Sequence, residues 1–420
     1  MMPCILILLF LSSCRSKKGI DENIQLDEKR DLSSEQVQVP ALQEVDYELD
    51  RQKPLNLVMG CEQFDLYLDS LKGKNVAIVS NQTSVIGKSH LVDTLLSKGV
   101  NLVKVFTPEH GFRGDADAGE KVYSGIDAKT GLSLISLYAN NKKPTPAQMA
   151  NVDVVLFDIQ DVGVRFYTYI STLHYVMEAC AETGKPLIVL DRPNPNGHYV
   201  DGPVREPAFK SFVGMHPVPV VHGMTIGEYA KMVNEELWLS GQLKCKLTIV
   251  PMKGYTHKER YALPIAPSPN LRSELAIAVY PSLCLFEATT VSIGRGTTTP
   301  FELYGHPYFP TTDFTFTPFS SFGAKNPLWE NTECFGFDLK QTTKKRLYEL
   351  KIDWLINAKE YLGDSIPFIN RPGFFDRLAG TSTLREQIMH GVSEKEIRTS
   401  WKPGIEAFRK IRQKYLIYEN

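Results

Sequence analysis

Between about Cys61 and Gly254, short and nearly continuous apolar runs alternate with stretches of helical spacing. NVAIVS (75–80), LVKVFT (102–107), LISLYA (134–139), DVVLFDI (153–159), PLIVLD (186–191) and LTIVPM (247–252) read as buried strands. Between them, HLVDTLLSKG (90–99) has helical spacing and a glycine stop, and Tyr169 to Gly184 is an amphipathic helix with a glycine C-cap. Thr225 opens another helix, with Glu228 three residues on completing a capping box. Strands that are apolar throughout must be covered on both faces. The alternation therefore predicts an α/β domain over residues 55–254 with a mainly parallel sheet. In such sheets ligands bind beyond the carboxyl ends of the strands. Asn81, Glu109, His110, Gln160, Asp161, Asp191 and Arg192 all fall at those ends.

After Gly254 the rhythm changes. Residues 255–335 are rich in Pro, Gly, Thr and aromatics, the pattern of long ordered loops and short strands. Thr342–Leu362, Thr383–His390 and Ser393–Tyr418 have helical spacing, with Pro403 expected to start a fresh helix. This predicts a smaller C-terminal α+β domain over 255–420, and the cleft between the two domains is the default site.

The N-terminal end reads as an address. ILILLFL (5–11) is too short to span a bilayer, and the LSSC that follows gives the layout of a secretory signal. LSSC resembles a bacterial lipobox, which implies a signal peptide over 1–13 and lipidation of Cys14, although Met1–Cys4 carries no Lys or Arg. Residues 14–54 are polar and charge-mixed, too poor in apolar surface to offset their ordering entropy, and are expected to form a flexible tether. The expected location is the cell envelope, on the periplasmic side or the outer membrane, with the membrane reached through the lipid.

Composition narrows the chemistry. The 47 basic and 48 acidic side chains give a net charge of -1, so no nucleic-acid partner is expected. Seven dispersed cysteines without a C-x-x-C, and nine dispersed histidines, argue against a disulfide framework and a metal site. G-x-G-x-x-G after the first strand, the P-loop motif and G-x-S-x-G are all missing, so neither a nucleotide cofactor nor a serine nucleophile is indicated. No cofactor is expected.

What remains are NQT (81–83), TPEHGFRGDADAGE (107–120), QDVGVRFYTY (160–169), LDRPNP (190–195), APSPN (266–270), FEATT (286–290) and SIGRGTTTPFE (292–302). These collect carboxylates, arginines, amides and aromatic rings, a set suited to glycosidic bond cleavage. In this order and spacing, from about Leu57 to Tyr418, they resemble a bacterial family formerly known as a domain of unknown function and now recognised as exo-lytic β-N-acetylmuramidases. The resemblance implies a Rossmann-like domain without a dinucleotide role. It also implies removal of N-acetylmuramic acid (MurNAc) from non-reducing ends of peptidoglycan glycan fragments such as MurNAc-GlcNAc.

Within that frame Glu109 is the first choice for the general acid, with His110 beside it and Glu120 favoured as second carboxylate over Asp161 and Glu287. The lactyl carboxylate of the sugar needs a cation, and Arg113, Arg165, Arg192 and Arg295 lie in the matched motifs. Asn81, Gln160, Asn194 and Asn270 are amides suited to sugar hydroxyls or the N-acetyl group, with Asp161 and Glu287 also expected at the substrate. Tyr167 and Tyr169 could form a platform, with one of them expected in the core instead because positions along a strand alternate faces. Retaining, inverting and substrate-assisted mechanisms all stay open. The alternative function is a non-catalytic lipoprotein that captures muropeptides.

Overall fold

A computed structural model describes residues 56–109, 111–112 and 124–420. The proposed signal, lipidation site and tether, together with His110, Arg113 and Glu120, lie outside the described residues.

The six apolar runs form the strands they predict. They are β1 (Val76–Ser80), β2 (Leu102–Thr107), β4 (Ser133–Ser136), β5 (Val154–Asp158), β6 (Leu187–Leu190) and β7 (Leu247–Val250), with the short β3 (Gly125–Ile126) added at one edge. The sheet order is β3-β4-β2-β1-β5-β6-β7, and every pair is parallel except β3 with β4. The central strands β1 and β5 are buried along their whole length, which is why they lack polar alternation.

The helices follow the same logic. α1 is Leu91–Ser97, α2 is Tyr169–Thr183 and α3 is Ile226–Glu235. Gly184 ends α2 at φ 69°, the left-handed conformation that glycine adopts without penalty. Thr225 and Glu228 cap α3 reciprocally. Family-like motifs also tie the sheet to the chain's far end. The Asp191 carboxylate accepts hydrogen bonds from Thr225 Oγ1 (2.7 Å), Gly227 N (2.8 Å) and Tyr418 Oη (2.6 Å).

Beyond β7 come α4 (Glu274–Leu283) and an antiparallel sheet of β8 (Leu303–His306), β9 (Thr315–Phe316) and β10 (Cys334–Asp338), in the order β8-β10-β9. Then follow α5 (Asp353–Leu362), α6 (Pro372–Ala379), α7 (Thr383–Met389) and α8 (Glu394–Arg412). The fold class is thus α/β with a large, mostly parallel sheet and a smaller C-terminal region.

Two expectations for this part change. The helix read over Thr342–Leu362 is only Asp353–Leu362, preceded by a single turn at Leu339–Thr342. The backbone between them bonds to side chains instead of to its own carbonyls, Leu350 N to Asp201 Oδ2 (2.7 Å) and Lys351 N to Ser282 Oγ (2.8 Å). Pro403 does not start a fresh helix but lies inside α8. The missing N–H is tolerated at this exposed position because Ile397, Trp401 and Phe408 bury one helix face and Ser393 with Glu396 caps the start.

Candidate active site

The carboxyl ends of β2, β4 and β5 open onto a cavity of about 750 Å³, the size of a small-ligand site. Glu109 follows β2, Tyr138 follows β4, and Phe166 to Tyr169 lead from β5 into α2. The other wall comes from Ser268, Leu271, Tyr280, Cys284, Glu287, Arg295, Phe301, the loop 323–328, and Arg371, Phe374 and Leu378. Residues from both halves of the sequence therefore meet here.

Glu109 is held at both oxygens. Tyr138 Oη donates to Oε1 at 2.9 Å, and Thr168 Oγ1 donates to Oε2 at 3.1 Å. Thr168 is the N-cap residue of α2, yet its side chain makes no cap bond there. A threonine cap contributes about 1 kcal/mol to a helix. The helix forgoes it, and the hydroxyl goes to the carboxylate instead. The positive end of α2 therefore also faces Glu109.

Across the cavity, Arg295 Nη2 pairs with Glu287 Oε1 at 2.6 Å, and the guanidinium lies 5.0 Å over the Phe301 ring. Burial disfavours the Arg295 cation, but Glu287 more than restores it, so its pKa is raised. Edge-to-face contacts link Phe166, Tyr167 and Phe301 to Tyr280, with centroids 5.3–5.8 Å apart. Together these rings make an aromatic surface suited to a sugar face.

Tyr167 and Tyr169 both border the cavity, yet both are buried, and Tyr169 at 1% exposure is the one that belongs to the core. The segment before α2 is a turn and not a strand, so strand alternation does not apply to it. Both hydroxyls donate to Pro267 O, at 2.8 and 3.2 Å, and burial raises both phenol pKa values.

Several other residues expected at the substrate are committed elsewhere, and the cavity lining does not include them. Arg165 is fully buried behind the wall and donates to Pro203 O (2.8 Å), Val218 O (2.7 Å) and Leu378 O (2.8 Å). Burial without a carboxylate pushes its pKa down to about 9. Arg192 forks onto Asp158, with Nε to Oδ1 at 2.6 Å and Nη2 to Oδ2 at 2.8 Å. These two arginines hold the scaffold, and the structure does not bring them to the cavity lining.

The amides are likewise bonded outside the cavity lining. Gln160 Nε2 donates to Asp161 O and Pro193 O, and Asn194 Nδ2 to Met224 O. Asn194 also packs so closely on Gly163, at φ 76°, that a Cβ there would collide with it. Asn270 Nδ2 donates to Gly323 O and so fixes the loop that lines the cavity. Asn81 Nδ2 donates to Tyr169 Oη at 2.9 Å and acts behind the lining. Asp161 is buried beneath these loops, accepts from Gly163 N at 2.7 Å, and has its pKa raised to about 7 by burial. Conversely, Tyr138, Thr168, Tyr280, Phe301 and Arg371 line the cavity without having been expected there.

Comparison with known proteins gives a consistent result. The family model described as "Exo-beta-N-acetylmuramidase NamZ, N-terminal" matches residues 76–274, and its C-terminal counterpart matches 278–418. The chain is 41% identical over 372 residues to the peptidoglycan beta-N-acetylmuramidase NamZ of Bacillus subtilis (strain 168), covering 84% of this chain and 89% of that protein. Two crystal structures of DUF1343 family proteins from Bacteroides fragilis NCTC 9343 superpose on it. One has a TM-score of 0.79 at 46% identity, and the other 0.75 at 30% identity. Each match covers 87% of this chain and 99% of the other.

Proposed function

The chain belongs to the exo-β-N-acetylmuramidase NamZ family and is therefore a glycoside hydrolase acting on peptidoglycan fragments; from this premise we propose how its residues release MurNAc. Glu109 is the general acid. The observation that carries this reading is its position in the cavity with a hydroxyl on each oxygen. A hydroxyl can donate to a carboxylate and accept from a carboxylic acid, so Tyr138 and Thr168 serve both protonation states. Glu109 gives its proton to the glycosidic oxygen as the bond to C1 breaks, and water completes the hydrolysis at C1.

Glu287 is the second described carboxylate of the lining, and its ion pair with Arg295 orients it. It is the counter-charge for an oxocarbenium-like transition state, either directly, through water, or by polarising the substrate's own N-acetyl group. The rings of Phe166, Tyr167 and Phe301 pack on the apolar face of the sugar.

We further propose that the enzyme is lipid-anchored at Cys14 in the cell envelope, a reading supported by the ILILLFLSSC sequence and the polar stretch after it. The test of function is incubation with MurNAc-GlcNAc and detection of free MurNAc by mass spectrometry. Release supports the hydrolase. Saturable binding without release would point to the capture protein.

A further inference from the structure

MurNAc differs from N-acetylglucosamine by a lactyl carboxylate, and the reading above, on which this inference rests, needs a cation to receive it. Arg165 and Arg192 are occupied in the scaffold, and Arg295 is neutralised by Glu287. Lys325 and Arg371 also line the cavity, and of the two only Arg371 carries the planar fork that matches a carboxylate; it makes no ion pair with a carboxylate among the described residues.

Its position breaks two local rules at once. Arg371 is the N-cap residue of α6, and its side chain makes no cap bond. N-caps favour acceptors such as Ser, Thr, Asp or Asn, and a helix N-terminus carries partial positive charge that repels a cation. The nearest helical carboxylate gives no relief, because Asp376 is forked by Arg385 at 2.8 and 3.1 Å. The residue is nonetheless held firmly. Its backbone N–H donates to Ala288 O at 3.2 Å, beside Glu287, and its guanidinium sits 4.3 Å over the ring of Phe374. A local rule broken at the wall of a substrate cavity, by a guanidinium that is exposed and open to a ligand, marks a place where an anion completes the site. We propose that Arg371 is a specificity-determining residue that receives the lactyl carboxylate of MurNAc, its planar fork matching the two carboxylate oxygens.

The test is calorimetric titration with MurNAc and with its lactyl methyl ester, for the wild type, Arg371→Gln and Arg371→Lys. The wild type is expected to prefer the acid by about tenfold or more, the equivalent of one charge-assisted hydrogen bond. Arg371→Gln should bind both ligands with the affinity of the ester, and Arg371→Lys should recover part of the preference. The melting temperature of Arg371→Gln should be unchanged or higher, since a cation leaves a helix N-terminus. A preference that survives in Arg371→Gln, an equal loss for both ligands, or a wild type that does not distinguish them would overturn the proposal. Release of MurNAc from MurNAc-GlcNAc by the wild type is measured alongside. Its failure would count against the hydrolase reading, whereas normal release without acid preference would sink Arg371 alone.

Discussion

Replacing Arg192 by methionine should unfold the protein more readily without touching the cavity. Arg192 and Asp158 are both buried, and Asp158 ends β5 in the middle of the sheet with no solvent access. The guanidinium makes a two-pronged bond to the carboxylate and packs against Met59 Sδ (3.3 Å) and Cys61 Sγ (3.5 Å). Removing the arginine strands a carboxylate in an apolar interior, which costs about 3–5 kcal/mol. Removing both charges, as Arg192→Met with Asp158→Asn, leaves no orphaned ion. The double variant should therefore be more stable than the sum of the two single losses implies, by at least about 2 kcal/mol. Urea unfolding followed by tryptophan fluorescence measures all four corners of this cycle, and kcat/KM of the folded enzyme is measured beside it. An unchanged unfolding midpoint with a raised KM in Arg192→Met would refute the reasoning and return Arg192 to the substrate.

Two further outcomes follow from the same geometry. Burial raises the Asp161 pKa to about 7, against about 3.9 in an unfolded chain. Between those values the native state keeps a proton that the unfolded state has released, so stability should fall by about 1.4 kcal/mol per unit as pH rises through the window. Asp161→Asn should remove that slope in chemical unfolding from pH 4 to 8, and an identical slope in both proteins would refute the assignment. Tyr138→Phe deletes the donor to Glu109 Oε1 and should lower kcat about tenfold with little change in KM or melting temperature. An unaltered kcat would show that this bond does not serve the reaction.

The scaffold was largely legible because its signals are local. Six apolar runs, the Gly184 stop and the Thr225–Glu228 capping box each lie within a few residues of the structure they form. The position of Glu109 at the cavity was legible for a related reason, since a polar residue just after a parallel strand stands at the ligand edge. The same rule did not place Arg165, Arg192, Gln160 and Asn194 in the cavity lining. Polar residues at strand ends also bind the loops that cross there, and sequence does not distinguish the two uses. The acceptors of Arg165 lie 38, 53 and 213 residues away, so nothing adjacent in the chain reveals that its donors are taken. Tyr138 and Thr168 look like an ordinary strand end and helix cap until Glu109 is brought beside them. Arg371 does carry a local mark, an arginine directly before the proline that starts a helix, where an acceptor is expected.

The central claim is that Glu109 delivers the proton that breaks the glycosidic bond. Its most direct test is Glu109→Gln assayed on MurNAc-GlcNAc, with free MurNAc quantified by mass spectrometry and binding of MurNAc followed by calorimetry. Glutamine keeps the size and can still bond to Tyr138 and Thr168, so fold and binding should persist. Turnover should fall by at least about 100-fold, the usual contribution of a positioned general acid. A variant that releases MurNAc at close to the wild-type rate would contradict the account and require another residue to supply the proton.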